Sequence, residues 1–173
     1  MKLQLTILAA IVLMSCGAAV GVDYDKATDF SQYTTYDFYP SIESGLNELD
    51  NKRIMAATDS ILRSRGFTRS EAPQLLINFY ASEYISNSRN TIGIGVGGGG
   101  SNVGVGVSGG IPIGGRVINQ RLTVDLIDAE NDDLLWQAVY EGELKEKASP
   151  EQKENYYANT MAKILKKYPP KTK

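Results

Sequence analysis

Hydrophobic residues recur at intervals of three and four in only two stretches of this chain, residues 47–65 and 149–165. In the first, Leu46, Leu49, Ile54, Ala57, Thr58, Ile61 and Leu62 make one apolar stripe, with Asn51, Lys52, Asp59, Arg63 and Arg65 opposite. Gly66 stands where a helix C-cap belongs, and Phe67 can close the stripe behind it. In the second, Ser149 suits an N-cap, Pro150 the first helical position, and Gln152 completes a capping box. Tyr156, Tyr157, Thr160, Met161, Ile164 and Leu165 form its stripe, and Pro169-Pro170 stop it. Two helices cannot cover both faces of a sheet made from the rest. The expected fold is therefore α+β: a mainly antiparallel sheet with two helices packed on one face.

The strand candidates fill the remaining length. Val20 to Asp25 alternates apolar and polar residues, and Tyr33 to Tyr39 is dense in β-branched and aromatic side chains before Pro40 stops it. Gln74 to Tyr84 is a nearly continuous apolar run and reads as the central, most buried strand. Val117 to Asp128 and Leu134 to Leu144 flank a polar turn, Glu130-Asn131-Asp132-Asp133, and should pair as a hairpin. The predicted order is β-β-α-β-(Gly-rich β-hairpin)-β-β-α. With 173 residues, 42% hydrophobic and 22% charged, the chain suits one globular domain, assigned to residues 22–170.

The start of the chain carries an address. Met1-Lys2 gives a positive end, followed by about a dozen apolar residues, too few to span a bilayer as a helix but suited to a secretory signal. Leu13-Met14-Ser15-Cys16 resembles the lipobox of bacterial lipoproteins, and Cys16 is the only cysteine in the chain. That resemblance implies a signal peptide over residues 1–15 cleaved before Cys16, a thioether-linked diacylglycerol on the Cys16 sulfur with an acylated new N-terminus, palmitate being an expected acyl group, and a tether over residues 16–21. Gly17-Ala18-Ala19 carries no acidic residue. In the lipoprotein pattern this favours an outer-membrane, periplasm-facing protein.

Several function classes are disfavoured by what is missing. There is no histidine, which removes the commonest general base and transition-metal ligand, and one cysteine cannot make a disulfide or a thiolate cluster. The net charge of −2 gives no basic field for nucleic acid. Gly95, Gly97 and Gly100 match G-x-G-x-x-G, but Ser101-Asn102-Val103 cannot open the helix that a phosphate site needs. No nucleotide is expected. Instead the segment 91–115 alternates glycine with Ile and Val, and Ile92, Ile94 and Val96 mirror Val107, Val105 and Val103. It reads as a β-hairpin insertion with one aliphatic and one bare face. The acidic cluster Asp128, Glu130, Asp132, Asp133 lacks the glycine and glutamate positions of an EF-hand and reads as a solvated turn. Asp23/Asp25 and Glu141/Glu143 have the spacing of a strand's polar face, and Trp136 with the tyrosines reads as core and sheet surface.

In this order of elements the chain resembles the DUF4136 family of bacterial envelope lipoproteins. The matching stretches are Val22-Asp23-Tyr24-Asp25, Asp29 to Tyr36, Arg65-Gly66-Phe67, Gln74 to Phe79, Leu122 to Asp128 with Leu135-Trp136, and Lys163 to Pro170. After the Trp the family often has a basic residue and glycine, where this chain has Gln137-Ala138. The resemblance implies a fold and a location but no catalytic, cofactor or metal residues. The expected function is a non-enzymatic binding or structural module, held to the membrane through Cys16 and contacting an envelope protein or glycolipid. The alternatives are a carrier or chaperone for an apolar envelope molecule and a hydrolase using carboxylates alone.

Overall fold

The computed structural model describes residues 19–87, 91–92, 111–112 and 115–171. The strands are β1 (Val20–Tyr24), β2 (Thr35–Phe38), β3 (Thr68–Arg69), β4 (Leu75–Asn87), β5 (Thr91–Ile92), β6 (Ile111–Pro112), β7 (Arg116–Asp128) and β8 (Leu134–Lys145). The helices are α1 (Glu48–Ser64) and α2 (Pro150–Leu165). Six strands form one sheet in the order β1-β8-β7-β4-β2-β3, while β5 and β6 pair apart as a two-stranded ribbon. The β1–β8, β8–β7 and β7–β4 ladders are antiparallel, and β2 runs parallel to β4 and β3. The α+β fold with its mainly antiparallel sheet stands.

Alternation along the strands assigns the two faces. Leu122, Val124 and Leu126 of β7, Trp136 and Ala138 of β8, and Leu75, Ile77 and Phe79 of β4 are at most 2% exposed. They meet Ile54 and Leu62 of α1 and Tyr157, Met161, Ile164 and Leu165 of α2 in one core. Both helices lie on this face, as their count required. The second helix starts with the expected capping box of Ser149 and Gln152, and the first carries a cap the sequence reading had not named, Asn47 Oδ1 accepting from the Asp50 amide. Gly66 ends α1 at φ +89°, a left-handed conformation that side chains rarely adopt.

Three expectations need correction. The Gln74–Tyr84 stretch is not the most buried strand; β7 is. β7 has a long neighbour on each side, whereas β2 covers only Leu75 to Ile77 of β4. Beyond that β4 becomes an edge, and Tyr80, Tyr84 and Ile85 are exposed. Second, β4 and β7 extend further towards the glycine-rich segment than the sequence suggested, to Asn87 and from Arg116. Third, at the foot of that segment Ile92 stands opposite Ile111 and Thr91 opposite Pro112. The mirror pattern had put Val107 opposite Ile92. The antiparallel return is there, but its foot closes four residues later on the second arm. The rest of the proposed hairpin, including Gly95, Gly97 and Gly100, lies outside the described residues, as does Cys16.

Candidate functional site

Several residues that match the family stretches serve as staples rather than as a site. Arg65 Nη1 donates to the carbonyls of Leu165 (2.7 Å) and Tyr168 (3.0 Å), so the end of α1 caps the end of α2. The Tyr168 ring packs against Trp136, Phe30 and Phe67 at 5.6, 5.8 and 6.1 Å between ring centres. Gln74 Oε1 accepts from the Thr34 and Thr35 amides while its Nε2 donates to the Gln32 carbonyl. That one side chain pins the approach to β2.

The acidic candidates are used up in the same way. Asp128 accepts from the Tyr33 hydroxyl (2.8 Å) and from the Glu130 and Asn131 amides, and these bonds hold its carboxyl below the usual range. The turn behind it closes through Asp132 at φ 58°. Asp25 accepts from the Ala27 amide and the Thr28 hydroxyl in the turn after β1, which also lowers its carboxyl. No group of three possible metal ligands exists among the described residues.

Both helices leave the other face of the sheet uncovered. Residues two apart on β4, β7 and β8 share it: Asn78, Tyr80, Ser82 and Tyr84; Asn119, Arg121, Thr123 and Asp125; Gln137, Val139, Glu141 and Glu143. Its middle is a polar row. Asp125 accepts from Gln137 Nε2 at 2.8 Å; its burial pushes the carboxyl above the usual range, against hydrogen bonds from Gln137 and Asn78. Tyr80 stands beside this row, 44% exposed.

Towards the β4 end the face deepens into an open trough of about 930 Å³, lined by Gly21, Tyr84, Asn119, Arg121, Glu141 and Glu143 among others. Arg121 reaches Glu141 at 3.8 Å, with both side chains more than half exposed. The two glutamates thus share a trough, but the Glu141 side chain is 74% exposed. The trough thus sets an aromatic ring beside hydrogen-bond donors and acceptors in an open concavity.

Among the described residues the covered face is closely packed. Trp136, Tyr157, Met161, Ile164 and Leu165 fill the space beneath the helices at 0 or 1% exposure. Where the core meets the trough end, Gln120 Nε2 donates to Glu83 (2.6 Å) and Tyr157 (3.0 Å). Burial raises the Tyr157 hydroxyl to about 12, against the Gln120 hydrogen bond, so it stays protonated. Neither this network nor the open-face row stands out in the sequence, because each joins strands through register.

Comparison with known proteins agrees with this architecture. A family model described as "Domain of unknown function (DUF4136)" matches residues 20–170. Curated proteins give no match. Among solved structures, a PDZ domain protein from Parabacteroides distasonis is similar, with 15% identity, a TM-score of 0.54 and 90% of this chain covered. The chain spans 36% of that protein's length, and at this identity the likeness is one of fold. A PelC dodecamer from Paraburkholderia phytofirmans has 16% identity and a TM-score of 0.49, covering 86% of this chain and 95% of that one. A putative neuraminyllactose-binding hemagglutinin homolog from Helicobacter pylori has 14% identity and a TM-score of 0.47, covering 84% and 88%.

Proposed function

The chain belongs to the DUF4136 family, and from that premise we propose that it is a lipid-anchored, non-enzymatic binding module of the bacterial cell envelope. The family name assigns no activity, so the reading rests on the molecule. One observation carries it: the two helices cover a single face of the sheet, and the other displays Tyr80 and Tyr84 around a polar row and trough. The anchor rests on Leu13-Met14-Ser15-Cys16 behind the apolar run. Acylated at Cys16 by more than one chain, the protein is held stably, since one chain alone binds membranes only marginally. The proposed place is the outer membrane, facing the periplasm, and the proposed partner is an envelope protein or glycolipid.

The test is metabolic labelling with an alkyne fatty acid. Wild type should carry label and sediment with membranes, and Cys16→Ala should lose both. Label retained in Cys16→Ala would refute the anchor. The carrier reading is separated in the same preparation. A contact module purifies without stoichiometric bound lipid beyond its own acyl chains, whereas a carrier yields an extra lipid in native mass spectrometry.

A further inference from the structure

Register and tether length together say which part of the domain meets the membrane. Val20 stands opposite Tyr140, which is level with Leu122 on β7 and Ala81 on β4. Beyond that level β1 is absent, and residues 82–87, 116–121 and 141–145 continue as a three-stranded ledge. At about 3.4 Å per residue the ledge overhangs Val20 by about 17 Å. Cys16 lies four residues before Val20, a reach of at most about 14 Å when extended. The tether is therefore no longer than the overhang. With β1 upright and Val20 towards the lipid, a domain held at Cys16 brings its ledge to the surface.

The ledge end is dressed for that contact. Among the described residues six large hydrophobic side chains are exposed, and two of them, Tyr84 at 64% and Ile85 at 49%, belong to the ledge. Tyr84 and Ile85 are adjacent on β4 and point to opposite faces, so both faces of the ledge carry an anchor side chain. An amphipathic tyrosine beside an aliphatic residue suits the headgroup boundary. Charges there are mixed: Arg116 pairs with Glu146 at 3.2 Å and Arg121 with Glu141. The contact should not depend on anionic lipid. The glycine-rich segment, leaving from Asn87 and returning to Arg116, departs from this same end.

We propose that the ledge of β4, β7 and β8 is a lipid-contact surface, with Tyr84 and Ile85 seated in the headgroup layer. This rests on acylation of Cys16. It divides the open face into a lower part against the bilayer, which takes in the trough around Tyr84, Arg121 and Glu141, and an upper part around the exposed Tyr80 for the partner.

The experiment uses full-length acylated protein in vesicles of phosphatidylethanolamine and phosphatidylglycerol containing doxyl lipid. Once Cys16 is blocked by its thioether, an introduced cysteine is the only free thiol. Bimane on Ile85→Cys should be quenched several-fold more than on Leu134→Cys, at the far β7–β8 turn, and raised salt should not abolish the difference. Tyr84→Cys gives a second, independent position on an exposed side chain. If mass spectrometry finds the acyl group on Cys16 and both ledge labels are quenched no more than Leu134→Cys, the contact is wrong while the anchor stands. Self-quenching between ledge labels without lipid quenching would also overturn it, by placing a second copy there. A Cys16 without acyl chains would remove anchor and contact together.

Discussion

Asp50, 3% exposed, accepts from Lys153 Nζ (2.9 Å), Arg53 Nη1 (2.7 Å) and Asn47 Nδ2 (2.6 Å) where the starts of α1 and α2 meet. Burial works against its charge, but these partners outweigh it and hold the carboxyl below its usual range. Removing the charge strands Lys153 and Arg53, whose side chains keep only about a quarter and a fifth of their exposure. Losing one partner of a fully buried pair costs about 3–5 kcal/mol, and the exposure left here lowers the expectation for Asp50→Asn to about 2–3 kcal/mol. The sign with pH follows from the lowered carboxyl. The stabilisation is complete above the unfolded value of about 4 and fades as pH falls through the folded one. Urea melts of wild type and Asp50→Asn should therefore differ most near pH 7 and converge in acid. A constant difference at all pH values would mean that Asp50 acts by shape alone.

The elements show where sequence reasoning succeeds and where it stops. Helix starts were legible because a cap is a local spacing: Ser149, Pro150 and Gln152 state it within four residues. Sheet faces were legible from alternation, but alternation names a face and not a neighbour. Nothing in Thr35 to Phe38 announces a parallel partner in β4, and Thr68–Arg69 is too short to show a period. The run from Gln74 to Tyr84 read as the central, most buried strand because it is nearly continuously apolar, yet alternation turns Tyr80 to the face that the helices leave uncovered. The open-face site was hidden for the same reason. Arg121 meets Glu141 only through the β7–β8 register, twenty positions apart in the chain.

Arg65-Gly66-Phe67, by contrast, is visible in the sequence but means something structural. Arg65→Leu would leave two carbonyls at the end of α2 without their charged donor, at about 1.5–3 kcal/mol for each such bond. Since water can reach part of this corner, a total loss of about 2–3 kcal/mol is expected. Hydrogen exchange should speed up in the last turn of α2 and leave β7 unchanged. Uniform loss of protection throughout would show that Arg65 supports the whole core instead.

At the scale of the molecule, a one-sided α+β layer on a short tether has three distinct surfaces. The helical layer is polar outside and packed within, the ledge faces the proposed bilayer, and among the described residues no helix covers the upper open face around Tyr80. The central claim is that this last surface meets the partner. Site-specific photo-crosslinking in intact cells tests it most directly, with benzoylphenylalanine in place of Tyr80 and, as control, of Glu154 on the exposed side of α2. The account predicts a discrete protein or glycolipid adduct from Tyr80 and none from Glu154. Adducts from Glu154 with none from Tyr80 would contradict it.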